Sequence, residues 1–186
     1  MLRIVGGRHG GRRIAAPAGD FARPTSERVR ESLFGILDSK RALDGTRVLD
    51  GCAGSGALGL EALSRGAAHV TFFDTSRRAL EIVGENIETL EEEASSDVQR
   101  ADITDPPQAA DACSLVFLDA PYRTGIAARA LPALAAAGWL GEGALIVAET
   151  GRGAELTLPD GFSETDCRSY GSTELHFIEY GGQDLE

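Results

Sequence analysis

From Arg47 onward the chain alternates short apolar runs with helical patterns, and this alternation restricts the fold more than any other feature. It predicts strands over 47–51, 69–74, 97–101, 114–118 and 144–149, with helices near 56–65, 76–92 and 125–137. Strands separated by helices of this length make a parallel sheet wrapped by helices on both faces. Two later segments, 163–170 and 174–180, flank Gly171-Ser172-Thr173 and predict an antiparallel hairpin closing one sheet edge. Trp139, just ahead of the last parallel strand, is expected to pack in the core.

Upstream, Arg3-Ile4-Val5 and Arg13-Ile14-Ala15 bracket a glycine-rich segment and predict a β-hairpin. Pro17 to Pro24 is read as a loop, and Thr25 or Ser26 caps a helix running to about Asp38. Val29, Leu33, Phe34 and Leu37 form its apolar face, with Glu27, Arg28, Arg30 and Glu31 placed elsewhere. At 186 residues this is one domain, 25–186, preceded by a hairpin arm and loop, 1–24.

Charge separates the two parts. The net charge is −11, yet residues 1–41 hold nine cations against four acids, a surplus of five, so the rest carries −16. A basic arm on an acidic body fits a nucleic-acid partner better than the total charge suggests. Lys40 is the only lysine; every other cation is an arginine, whose planar fork suits phosphates and base edges. No run of about 18 apolar residues and no signal-peptide pattern occurs, so the expected location is cytoplasmic, without a membrane partner. Cys52, Cys113 and Cys167 are odd in number and lack Cys-x-x-Cys spacing, and His9, His69 and His176 are scattered. Neither a disulfide framework, a zinc site nor a histidine dyad is expected.

The chemistry is read at the turns. Val48-Leu49-Asp50-Gly51-Cys52-Ala53-Gly54-Ser55-Gly56 is a strand entering a glycine-rich turn and then a helix, the pattern of a nucleotide-cofactor site. The lysine of a phosphate-binding Walker loop is missing. Gly59 completes Gly54-x-Gly56-x-x-Gly59, so the glycines alone leave a dinucleotide open. Asp50 favours S-adenosylmethionine: its carboxylate would repel a pyrophosphate but can pair with the ammonium of the methionine moiety. Asp74, ending the second strand, is placed to accept the ribose hydroxyls, and Asp102, after the third, the adenine amine. Asp119-Ala120-Pro121-Tyr122 follows the apolar run Leu115-Val116-Phe117-Leu118. An acid, a backbone carbonyl and an aromatic at a strand tip can hold a planar amine-bearing base, with Tyr122 stacking on it. Together the two turns point to methyl transfer onto an exocyclic amine.

Three segments carry a family resemblance. They are Arg3-Ile-Val-Gly-Gly with Gly11-Arg12-Arg13, the run Arg23-Pro24-Thr25-Ser26-Glu27-Arg28-Val29-Arg30-Glu31-Ser32-Leu33-Phe34, and Leu49-Asp50 through Gly66. With Tyr170-Gly171-x-Thr173-x-Leu175, the chain resembles the RsmD family of ribosomal RNA methyltransferases. The resemblance implies an α/β, Rossmann-like, seven-stranded methyltransferase fold that uses S-adenosyl-L-methionine. Its implied substrate is N2 of guanine 966 in 16S rRNA, within the small ribosomal subunit or an assembly intermediate and in the company of ribosomal proteins. It would place Asp50, Cys52, Gly54, Gly56, Asp74, Thr75, Asp102 and Ile103 at the cofactor. Asp119, Ala120, Pro121 and Tyr122 would hold the base, and Arg3, Arg8, Arg12, Arg13, Arg23, Thr25, Arg28 and Arg30 the RNA. One position departs: the family pattern is Asp-Pro-Pro-Tyr/Phe, and Ala120 replaces its first proline. Methylation of adenine in DNA or of a protein glutamine, a non-catalytic ribosome-assembly role and a dehydrogenase are the competing readings.

Overall fold

The computed structural model describes residues 1–17, 26–40, 42–119 and 125–182. An N-terminal hairpin of β1 (Leu2–Arg3) and β2 (Arg13–Ile14) precedes α1 (Glu27–Ser39). Then follow β3 (Arg47–Asp50), α2 (Ala57–Ser64), β4 (His69–Asp74), α3 (Arg77–Leu90), β5 (Ser96–Arg100), β6 (Cys113–Leu118) and α4 (Ile126–Ala136). The chain closes with β7 (Leu140–Gly151), β8 (Phe162–Tyr170) and β9 (Thr173–Tyr180). No helix of the described residues is long and apolar enough to cross a membrane.

Strands β3 to β9 form one sheet in the order β5-β4-β3-β6-β7-β9-β8. The pairs from β5 across to β7 are parallel, and β9 runs antiparallel to both β7 and β8. The central strands Val48–Leu49, Val70–Phe73 and Leu115–Leu118 are buried on both faces, which is why their sequences read as continuous apolar runs. The chain steps outward from β3 to β4 and β5, then returns to set β6 on the other side of β3. That reversal opens a crevice beyond the carboxyl ends of β3 and β6, where open sheets of this kind take ligands.

Strand β7 starts at Leu140, four residues ahead of the expected 144, because Gly141-Glu142-Gly143 interrupts its apolar pattern. A register shift against β6 between Cys113 and Leu115 absorbs the irregular stretch. Trp139 packs edge-on against Phe73, and its indole N–H donates to the Pro107 carbonyl at 2.7 Å.

All eight residues of α2 are buried, so this helix is covered on every side. One side lies on the sheet, where a Cβ on Gly59 would come within 2.3 Å of the Phe72 ring. The other side meets the N-terminal hairpin, whose Ile4 and Ile14 join the core cluster of Leu33, Phe34, Leu60 and Leu63. Each of those isoleucines contributes about 1.5–3 kcal/mol of gross burial. Polar ties complete the seat. Val5 N–H and Gly6 N–H donate to the Glu61 carboxylate at 2.7 and 2.8 Å, and His9 N–H donates to Ser64 Oγ at 2.9 Å. Asn86 accepts from Ala15 N–H at 2.7 Å and donates to the Ser55 carbonyl at 2.9 Å, linking the hairpin's exit to the glycine-rich turn. Gly7 has φ +73°, and a Cβ there would sit 1.9 Å from the Ser64 carbonyl oxygen, so only glycine fits against the end of α2.

Candidate active site

The glycine-rich turn is stitched to both neighbours of β3. Gly51 N–H donates to the Phe117 carbonyl of β6 and Ala53 N–H to the Phe73 carbonyl of β4, each at 2.9 Å. Gly54 and Gly56 take φ of +57° and +75°, turning the chain back into α2. Asp50 lies at the bottom of this turn, 2% exposed. Its Oδ2 accepts the Gly59 N–H at 2.9 Å, one of the otherwise unpaired donors of the first turn of α2. Burial pushes the Asp50 carboxyl up to about 7, with the Gly59 hydrogen bond opposing and the nearby Asp74 charge adding to the rise. A buried acid holding a single hydrogen bond among the described residues is poised to gain from a cation.

Asp74 ends β4 and organises the same turn. Its Oδ2 accepts from Gly54 N–H at 3.0 Å and its Oδ1 from Ser76 N–H at 2.8 Å. Each oxygen has a lone pair left for a further donor. Asp102 is exposed beyond β5 and accepts from both the N–H and the hydroxyl of Thr104, at 2.8 and 2.7 Å; these bonds hold its carboxyl below the usual range. The exposed Thr75 accepts the Arg100 Nε–H at its carbonyl, 3.1 Å away. Ile103 is buried, and its Cδ1 lies against Gly51, where a Cβ would stand 2.7 Å from it.

Cys52 shows how closely the acids gather. Burial first, and then the charges of Asp50, Asp74, Asp119 and Asp102, together raise its thiol to about 12. Four carboxylates from the ends of three strands and one loop thus act on a single point of the glycine-rich turn. A pyrophosphate would meet that field as a like charge, whereas a ligand carrying a sulfonium and an ammonium would meet it as a counter-charge. Asp119 directly follows β6, two residues beyond Phe117, which pairs with Asp50 of β3; Ala120, Pro121 and Tyr122 lie outside the described residues.

The arginines separate into two groups. Arg3 pairs with Glu27 at 2.7 Å, and Arg8 grips the buried Glu92 with two bonds of 2.8 and 2.7 Å, beside His9 Nε2 at 2.5 Å. Arg30, assigned above to RNA, is 1% exposed: its Nη2 donates to the Arg3 carbonyl at 2.9 Å, and it lies in the field of Glu61 and Glu27. This corrects the expectation of an outward Arg30. The helical spacing already carried the signal, because 30, 33, 34 and 37 share one face with Leu33, Phe34 and Leu37. Arg12 is exposed and donates to the Thr89 carbonyl, and Arg13 and Arg28 are exposed with no ion pair among the described residues. Arg12, Arg13 and Arg28 are therefore the described arm cations open to a polyanion. Ser26 is the helix cap, its Oγ accepting from Val29 N–H at 3.3 Å; Arg23 and Thr25 lie outside the described residues.

Comparison with known proteins decides between the readings of this crevice. The family described as Conserved hypothetical protein 95 matches residues 2–179. Ribosomal RNA small subunit methyltransferase D of Escherichia coli is 37% identical over 150 residues, covering 81% of this chain and 75% of that protein. The chain belongs to the RsmD family of rRNA methyltransferases. YlbH of Bacillus subtilis is 38% identical over 188 residues, 97% of this chain and 100% of that one. The solved structure of the Escherichia coli protein yhhF superposes with a TM-score of 0.86 at 32% identity, covering 98% of this chain and 99% of that one. The family likeness thus extends through both the hairpin and the sheet.

Glu61 was not singled out from sequence, although a signal existed. Every other residue of α2 is Ala, Leu, Gly or Ser, and a lone glutamate in a helix buried all round must be paired inside. Its partners could not be read, because two are backbone N–H groups more than fifty residues away.

Proposed function

We propose that the protein methylates the exocyclic N2 of a guanine in 16S rRNA of the small ribosomal subunit, guanine 966 in the family's numbering of that RNA. The supporting observation is the convergence of Asp50, Asp74, Asp102 and Asp119 on the turn at Cys52, at the switch point between β3 and β6. S-adenosylmethionine, when bound, supplies an electrophilic methyl group on a cationic sulfur. Asp50 pairs with its ammonium, Asp74 accepts the ribose hydroxyls, and Asp102 with Ile103 borders the adenine. The Asp119 carboxylate and the Ala120 carbonyl accept the two amine hydrogens of the guanine, turning the nitrogen lone pair toward the methyl. Tyr122 stacks on the base, a contact worth about 1–3 kcal/mol. The guanine must leave its stack to reach this crevice, and Arg12, Arg13 and Arg28 hold the flanking phosphates.

The test is methyl transfer from labelled S-adenosylmethionine to small subunits lacking the modification, with the labelled nucleoside identified by mass spectrometry. N2-methylguanosine at one site is expected. Label in another nucleoside or in protein would replace the substrate assignment, and tight subunit binding without label would replace catalysis with an assembly role.

A further inference from the structure

Away from the crevice, the β8–β9 hairpin assembles three different metal-ligand types that are scattered in sequence. Cys167 of β8 lies directly opposite His176 of β9. Glu164 would face the other side in a regular strand, being three residues from Cys167, but a register shift between Glu164 and Asp166 inserts one extra residue. Glu164, opposite Ile178, thereby joins Cys167 and His176 on one face. The Sγ of Cys167, a ring nitrogen of His176 and a carboxylate oxygen of Glu164 all lie within 4.8 Å of one another. Tetrahedral zinc, with bonds of about 2.3 Å to sulfur and about 2.0–2.2 Å to nitrogen or oxygen, spaces its ligands about 3.3–3.7 Å apart. Small side-chain movements bridge the difference.

The hydrogen bonding around His176 fits such an ion. Its Nε2 faces Thr150 Oγ1 at 2.9 Å, and that hydroxyl also reaches the Gly151 carbonyl at 3.3 Å. His176 Nδ1–H donates to Glu164 Oε2 at 2.7 Å while Nε2 accepts from the Thr150 hydroxyl; a metal at Nδ1 would take the place of that proton, with Thr150 then accepting from Nε2–H. A ring nitrogen oriented by a partner on its other nitrogen is how protein ligands to zinc are held. His176 is buried while Glu164 and Cys167 are exposed, so an ion has both a fixed base and an open approach. Glu174 and Asp166 add negative potential at the thiol.

We propose that Glu164, Cys167 and His176 bind a zinc-type divalent ion, with a fourth position open to solvent. Thiolate with imidazole selects zinc over magnesium or calcium. Binding displaces the thiol proton to solvent, and the ion then clamps the edge strand β8 to β9. The register continues Cys167–His176–Ala148–Leu118 as one row across four strands. At the usual strand spacing His176 stands about 10 Å from Leu118, the residue before Asp119.

The full chain, stripped with chelator, is titrated with Co2+ and then with Zn2+. One equivalent of cobalt should give a thiolate-to-metal charge-transfer band and the strong visible bands of a four-coordinate ion, both erased by zinc. Zinc should also raise the melting temperature, by an amount that grows with the logarithm of its free concentration once sites are filled. Cys167→Ser, at an exposed position, should remove the charge-transfer band, and Glu164→Gln should weaken zinc binding more than tenfold. Cys52→Ser should keep the band. Absence of the band at millimolar cobalt would leave only a His176–Glu164 ion pair and overturn the proposal. So would a band that survives Cys167→Ser or vanishes with Cys52→Ser.

Discussion

Asp50 and Glu61 are both buried carboxylates, eleven residues apart at the two ends of one turn-helix unit, and they are satisfied very differently. Glu61 accepts two backbone N–H groups from the hairpin and the Arg65 Nε–H at 2.8 Å, with Arg30 adding its charge. Among the described residues Asp50 accepts one N–H, from Gly59, and its carboxyl is pushed up to about 7. The first is a finished joint. The second has one N–H partner among the described residues, and in the proposed reading a ligand's cation would complete it. Degree of satisfaction, rather than burial, separates a structural acid from a working one.

The largest effect should follow from Glu61→Ala. It strands two backbone N–H groups and two guanidinium groups inside the protein, and one-sided removal of a buried charge partner costs about 3–5 kcal/mol. Urea unfolding measures this directly. A loss below about 1 kcal/mol would mean the hairpin is seated by Ile4 and Ile14 alone, and the contrast with Asp50 would fail.

Asp50→Asn should do the reverse. An amide oxygen still accepts the Gly59 N–H, so folding should change little at neutral pH, while S-adenosylmethionine affinity falls more than tenfold by calorimetry. The pH dependence sharpens the point. A carboxyl raised from 3.8 to about 7 gives its full support to folding below 3.8 and loses it as pH rises through about 7. Above that, the ionised group is a cost to the free protein that the ligand's ammonium offsets. Cofactor affinity should therefore climb from about pH 5.5 to 7, by at most about tenfold per unit, and Asp50→Asn should flatten the slope. A flat profile in the natural protein would remove Asp50 from the cofactor.

The same contrast divides the arginines. Arg13→Ala and Arg28→Ala should each lower the salt-dependence slope of RNA binding by about 1 without affecting folding. Arg30→Ala should instead lower stability, since its guanidinium bonds the Arg3 carbonyl inside the hairpin joint. If Arg30→Ala altered the salt slope while stability held, Arg30 would have to swing outward to meet RNA.

What could be read in advance follows from the range of each interaction. The central strands and α1 are legible because burial on both faces, or on one stripe, imposes a local period. The acids at the ends of β3 and β4 are legible because a parallel strand followed by a turn fixes where its last side chain stands. The hairpin's docking is not, since it rests on Glu61, Asn86 and Glu92 reaching groups 55 to 84 residues away. Nor is the Glu164–Cys167–His176 cluster, which exists only through a strand register and its one-residue shift. Spacing rules for metal ligands look along the chain, and this cluster is assembled across it.

Ala120→Pro should have the smallest effect and concerns the finishing of the crevice. The proline of the family pattern would fix φ of its own residue and bias Asp119 toward extended backbone. Alanine keeps the backbone carbonyl but imposes neither restriction, and in the proposed reading proline would narrow the conformations open to the base-holding segment. By the scale of proline effects on chain entropy, about 0.4–1 kcal/mol, restoring proline should raise methyl transfer about 2–5-fold. Single-turnover rates on small subunits resolve such a change. The gain should appear with Asp50 intact and persist at saturating cofactor, because the role proposed for the segment is to hold the amine and not the methionine end. An unchanged or lower rate would show that the rest of the crevice already fixes the Asp119 backbone, and that Ala120 costs this enzyme nothing.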